Sequence, residues 1–265
     1  MVYADRDDAL FPGALSVFDS NPETKIMKKT FLALICTVGA SPALALTINF
    51  TGYEDNSFFG TEQLGILNWA ASQYEERIEN DMTINIALST ETMSDNILAI
   101  GGPNWQWVVG TDISVTNITG GSISFNAGKS GFSNYDLYSI TLHELGHVFG
   151  IINGFDPWNK LLIDGGAYFS GEYSVGVYGG FVPITADGSH WDNHRWNSEL
   201  TPSMFPSFVP GEVRSLSELD FAALADIGWQ VVGFNAPIPE PETWAMLLAG
   251  LGIVGSVAAR RRRAA

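Results

Sequence analysis

The chain has 265 residues, 46% of them apolar and 16% charged, with 13 Lys plus Arg against 29 Asp plus Glu and a single Cys. That is apolar material for one ordinary domain with appendages, and it excludes collagen, coiled coil, a disulfide scaffold and a disordered polyelectrolyte. Residues 46–235 hold 5 basic and 22 acidic side chains, a net charge of −17 that repels phosphate backbones and argues against nucleic-acid binding.

Residues 1–26 are an upstream extension carrying Asp5, Asp7 and Asp8, and translation is expected to start at Met27. From Met27 the chain reads MKKTFLALICTVGASPALA: two lysines, a short apolar stretch, then the small-x-small pattern Ala43-Leu44-Ala45. This order of charge, apolar run and small residues predicts a secretory signal peptide over 27–45, cut by signal peptidase. Cys36 lies inside the segment to be removed, so the mature protein is expected to have neither a disulfide nor a thiolate metal ligand.

The domain proper is expected over 46–235. Leu64, Leu67, Ala71, Tyr74 and Ile78 recur at helical spacing and predict a helix over 62–80. Residues 82–88 alternate as a strand, Gly101-Gly102-Pro103-Asn104 reads as a chain break, and 105–109, 112–116 and 122–125 read as short strands linked by Gly110 and Gly120-Gly121. A second helix is expected over 135–149, capped by Ser133 or Asn134 and closed by Gly150. Residues 151–188 read as loops and short hairpins, and 215–227 as a third helix ending at Gly228. Helix, strands, helix, irregular region and helix predict an α+β fold, with a mixed twisted sheet, a motif-bearing helix and a smaller irregular C-terminal subdomain. The segment 121–126, just upstream of the second helix, reads equally as an edge strand for an extended peptide or as a plain inner strand. Tyr168, Phe169, Tyr173 and Tyr178 are candidates for cleft walls or core packing.

The second helix carries His143-Glu144-Leu145-Gly146-His147. Spacing i, i+4 puts both imidazoles on one helical face, where two nitrogens can reach one zinc ion at about 2.0 to 2.1 Å. Glu144 projects beside them as a general base that is not itself a ligand. Gly146 disfavours a surface helix, since mid-helix glycine costs about 1 kcal/mol relative to alanine. A catalytic Zn²⁺ takes a third protein ligand. The two remaining histidines, His190 and His194, sit together in Gly188-Ser189-His190-Trp191-Asp192-Asn193-His194. His190 is the preferred third ligand and His194 the runner-up, otherwise a residue near the ligands; Asp192 is a candidate for orienting an imidazole. Glu172, Glu199 and Glu218 are weaker candidates for the third ligand.

The motif resembles that of the metzincin zinc peptidases. Gly150 matches the glycine that turns the chain after their helix, while Asn153 stands where their short motif places its third histidine. The leishmanolysin-like metzincins bring that histidine from a later His-Trp followed by Glu-Leu-Met. Here His190-Trp191 is followed by Glu199-Leu200-Thr201-Pro202-Ser203-Met204, with Thr201 in the place of the methionine. The resemblance covers the motif helix to about Gln230 and implies a zincin-like fold, Zn²⁺ as cofactor, and Met204 as the hydrophobic base of the Met-turn.

Residues 236–265 end the chain: Pro239-Glu240-Pro241, an uncharged run over 244–259, and Arg260 to Arg263. The run is slightly short of the roughly 20 residues that span a bilayer, and its arginines would hold the end cytoplasmic, giving transient membrane anchoring. This triple resembles the PEP-CTERM sorting signal, which implies recognition by exosortase-type machinery in a Gram-negative bacterium and a cell-surface or extracellular destination.

Together these features predict an exported zinc-dependent endopeptidase acting on peptide or protein substrates, with His143, His147 and His190 holding the metal and Glu144 moving the proton. The alternative is a non-catalytic envelope or exopolysaccharide-associated binding protein with a structural or vestigial metal site.

Overall fold

The computed structural model describes residues 45–106, 112–129, 132–192 and 202–234. The predicted signal peptide, His194, Glu199 and the C-terminal span lie outside the described residues.

Strands β1 (Thr47–Thr51), β2 (Thr83–Glu91), β3 (Ala99–Trp105) and β4 (Ile118–Asn126) form a mixed sheet in the order β1-β2-β4-β3. β1 and β4 run parallel to β2, while β3 pairs antiparallel with β4 and forms one edge. Along β2, Ile84, Ile86 and Leu88 are buried whereas Thr83, Asn85 and Ala87 are exposed, so the sheet is covered on one face and wet on the other. Helices α1 (Thr61–Glu75) and α2 (Asn134–Val148) supply the cover. The Tyr74 hydroxyl donates to the Leu142 carbonyl at 2.7 Å, and its ring stacks on Phe149 at 4.8 Å. α2 is buried on nearly all sides, which explains why its sequence lacks a clean amphipathic stripe.

The C-terminal part contains α3 (Asp156–Asn159), β5 (Leu162–Ile163), β6 (Tyr168–Phe169), α4 (Glu172–Tyr178), β7 (Val182–Pro183) and α5 (Glu218–Asp226). β5, β6 and β7 make a small antiparallel sheet. Trp158 stacks on Phe169 at 4.3 Å, and both rings meet Trp191. The fold is therefore α+β with a mixed sheet and several helices.

Four expectations need correction. Gly101-Gly102-Pro103-Asn104 is no break but lies inside β3, and Gly120-Gly121 lies inside β4. Their glycines are where the motif helix comes closest: a Cβ on Gly101 would lie 2.6 Å from the Glu144 carbonyl oxygen, and one on Gly121 2.5 Å from a Val148 methyl. Of the two readings of 121–126 the inner strand is the one observed, and among the described residues the edges of this sheet are β1 and β3. α1 stops at Glu75 because the following chain turns to bridge Ile78 to Val231, with Glu79 N–H donating to the Gln230 carbonyl at 2.8 Å. The predicted strand over 112–116 is replaced by a single 3₁₀ turn, Val115–Asn117.

Val148 packs directly on Gly121, so Gly121→Val would force α2 off the sheet. Urea unfolding is expected to show a loss of about 2–3 kcal/mol from overpacking.

Candidate metal centre

Ser133 starts α2 by accepting the Asp136 N–H, while the Asp136 carboxylate accepts the Ser133 N–H. The helix stops in a Schellman turn: Gly150 N–H donates to the His147 carbonyl and Ile151 N–H to the Gly146 carbonyl, both at 3.0 Å. Gly150 has φ 100°, and a Cβ there would strike the Phe155 ring at 2.7 Å. This turn brings the Ile151 carbonyl back to His147, whose Nδ1 it meets at 2.7 Å.

His190 arrives from the loop after β7. Asp187 organises that loop: one carboxylate oxygen accepts from the Thr185 hydroxyl at 2.7 Å and the Ser189 N–H at 2.8 Å. The other meets His190 Nδ1 at 2.9 Å. Trp158 Nε1 donates to the Gly188 carbonyl on one side of His190, and Trp191 Nε1 to Asp220 on the other. Asn153 serves the same loop, donating its backbone N–H to Ser189 Oγ and its side-chain amide to the Asp187 carbonyl. The position that carries a histidine in the short metzincin motif here secures the segment that delivers one.

The three rings converge. His190 Nε2 lies 3.1 Å from His143 Nε2 and 3.2 Å from His147 Nε2, and the ring centroids stand 4.8 to 5.0 Å apart. His143 Nδ1 meets the Ser203 carbonyl at 2.7 Å. Ser203 O, Ile151 O and the Asp187 carboxylate can only accept, so each Nδ1 carries the hydrogen and, in the neutral rings, each Nε2 presents a lone pair. Burial, then the neighbouring imidazoles His147 and His190, holds His143 well below the ordinary imidazole range. Burial, then His190, brings His147 down to about 4. Lone pairs facing one another at this distance repel unless a cation sits between them. The separations are close to the roughly 3.3 Å edge of a tetrahedron with zinc–nitrogen bonds of about 2.0 Å. The residues present therefore fit a divalent metal held by His143, His147 and His190.

Glu144 is 6% exposed and lines the same cleft as the three histidines. Burial pushes its carboxyl up to about 8, against the opposing pull of the Gly101 N–H. Met204 is fully buried beneath α2: a Cβ on Gly146 would lie 2.2 Å from the Met204 sulfur, which explains the mid-helix glycine. Asp220, at the start of α5, fastens this floor. It accepts the Ser203 N–H and the Ser217 N–H at 2.9 Å and, more weakly, the Met204 N–H at 3.4 Å.

The carboxylate on His190 is thus Asp187, not Asp192. Glu218 pairs with Arg77 at 3.0 Å, Glu172 lies in the first turn of α4, and neither lines the cleft. Tyr168, Phe169, Tyr173 and Tyr178 also stand outside the cleft lining. Sequence reasoning missed Asp187, Asp220 and Gly101. Only Asp187 left a trace, as an acid three residues before a histidine in a Gly-Ser turn.

Comparison with known families finds the PEP-CTERM protein-sorting motif at residues 237–263. The motif indicates an exported protein of Gram-negative type that carries a signal for exosortase-type sorting machinery. The chain matches no curated protein. No helix among the described residues is long and apolar enough to cross a membrane.

Two outcomes are expected. Asp187→Ala frees the His190 ring and lowers zinc affinity about 10- to 100-fold, measured by competition with a chromogenic chelator. In the metal-free protein, Glu144 stabilises the fold below its ordinary value of 4.5, and that contribution is lost as pH rises through about 8. Metal-free Glu144→Gln lacks this decline, so its stability relative to the native sequence should improve by more than about 1 kcal/mol between pH 4.5 and 9. Urea unfolding at the two ends of that range checks it.

Proposed function

We propose that the protein is an exported zinc metalloendopeptidase, with His143, His147 and His190 as ligands and Glu144 as general base and then acid. The observation that carries this reading is the convergence of three Nε2 lone pairs, each fixed by an acceptor on Nδ1, beside a buried carboxyl in an open cleft of about 780 Å³. Bound there, Zn²⁺ would polarise a carbonyl and bring the pKa of water toward about 7.

The chain's own residues supply the rest. Glu144, steadied by the Gly101 N–H, takes a proton from the attacking water and returns it to the leaving amine. Ala99, Ile100 and Gly101 of β3, an edge strand among the described residues, line the cleft, so an extended peptide can add there as a further strand. A structural site would have no use for Glu144, which favours catalysis over the binding-protein alternative. The mixed sheet with its antiparallel edge strand, the late histidine and Met204 below the helix all support a zincin-like, leishmanolysin-related reading.

The test is zinc stoichiometry with casein cleavage. The native sequence is expected to bind one zinc and cleave casein, and Glu144→Gln to keep the zinc while losing about 10³-fold or more in rate. Zinc retained with no cleavage by either form would favour the envelope binding protein.

A further inference from the structure

Among the described residues, the cleft has one side chain with a permanent positive charge, Arg214. It is 4% exposed. Its Nη1 donates to the Phe205 carbonyl at 3.0 Å, its Nη2 donates to the Ser207 carbonyl, and its Nε has no partner among the described residues. A guanidinium carries five N–H donors, so three are uncommitted. Among the described residues Arg214 makes no ion pair. Glu212 and Asp220 act on it only through space, and Asp220 is already taken up by donors from Trp191, Ser203, Met204 and Ser217.

A buried charge without a counter-ion is costly, and a carboxylate that reaches it gains correspondingly. Arg214 lines the same cleft as His143 and Glu144. Its backbone N–H donates to Ser139 Oγ at 3.0 Å, and Ser139 stands one turn of α2 before His143, about 6 Å along the axis. The surrounding wall is Ile140, Phe205 and Phe208, with the Phe208 ring 5.5 Å from the guanidinium. An apolar pocket ending in a fork of donors suits a short acidic side chain better than a solvated ion. In a body of net charge −17, whose cleft lining also holds Asp95, Glu144 and Asp187, attraction of a carboxylate to Arg214 is a short-range contact that no long-range field supplies.

We propose that Arg214 forms a carboxylate-binding subsite, so that the cleft selects peptides carrying Glu or Asp next to the bond presented to the three imidazoles. This rests on the peptidase reading. The same chemistry could serve a free C-terminal carboxylate, and the test separates the two.

The probes are fluorescent peptides differing only by Glu, Gln or Leu at the selected position, each with an amidated or a free C-terminus. Binding is measured on full-length, zinc-loaded Glu144→Gln, and cleavage on the native sequence. The Glu peptide is expected to bind about tenfold more tightly than the Gln peptide, with kcat/KM following. Adding Arg214→Met should erase the Glu-over-Gln difference, and Arg214→Lys should retain part of it. Preference that follows the free terminus instead would assign the subsite to chain ends. Equal binding of Glu and Gln peptides by the Arg214 form overturns the proposal even if the variants fail to fold. Glu-selective binding without cleavage by the native sequence overturns the peptidase reading and keeps the subsite. Cleavage without preference does the reverse.

Discussion

The site depends on one constraint: three imidazoles whose Nδ1 hydrogens are all committed to oxygen acceptors, leaving three lone pairs aimed at one point. Neutral rings in this state have no hydrogen to share among themselves. The arrangement is unfavourable by itself and becomes favourable around a cation. The surrounding structure holds it anyway, through the Ile151 carbonyl at the helix end, the Ser203 carbonyl above Met204, and Asp187 in the His190 loop. Each acceptor comes from a different part of the chain, so the centre forms only when the whole domain has folded.

Asp220 links these parts. It bonds the indole next to His190, the amide of the residue whose carbonyl holds His143, and the cap of α5. Burial raises its carboxyl above the ordinary range, while the donors from Ser217, Trp191 and Ser203 oppose that shift. An acid deep in an apolar core is tolerated here because its oxygens are so fully supplied with donors. Its value is geometric: it fixes the height of the Met204 floor relative to the His190 loop.

Much of this was legible in the sequence, for specific reasons. α2 announces itself by Ser133 or Asn134 at its start, by two histidines one turn apart and by Gly150 past its end, all of them local signals. The pairing of His190 with the helix histidines followed from the clustering of a scarce residue and from resemblance, not from local physics. The sheet was harder. Glycine in a sequence reads as a stop, yet Gly101 and Gly121 are places where a strand continues because a helix presses on it. Asp220 and Arg214 were illegible, and Asp187 nearly so, for a common reason. An acid in a polar loop, an acid in a first helical turn and a lone arginine all look like solvated surface, and only tertiary contacts bury or employ them.

The Schellman turn after α2 has a dynamic consequence. Helices ordinarily fray from their ends inward, and a C-terminal turn is among the first parts of a fold to open. Here that turn contains His147, and the carbonyl that steers its ring belongs to the residue just past the stop signal. Opening of a single turn would swing one ring out of register with the other two. The domain has therefore placed a histidine of its centre where helices are most mobile, and it suppresses that motion by wedging Phe155 and Ile227 against Gly150.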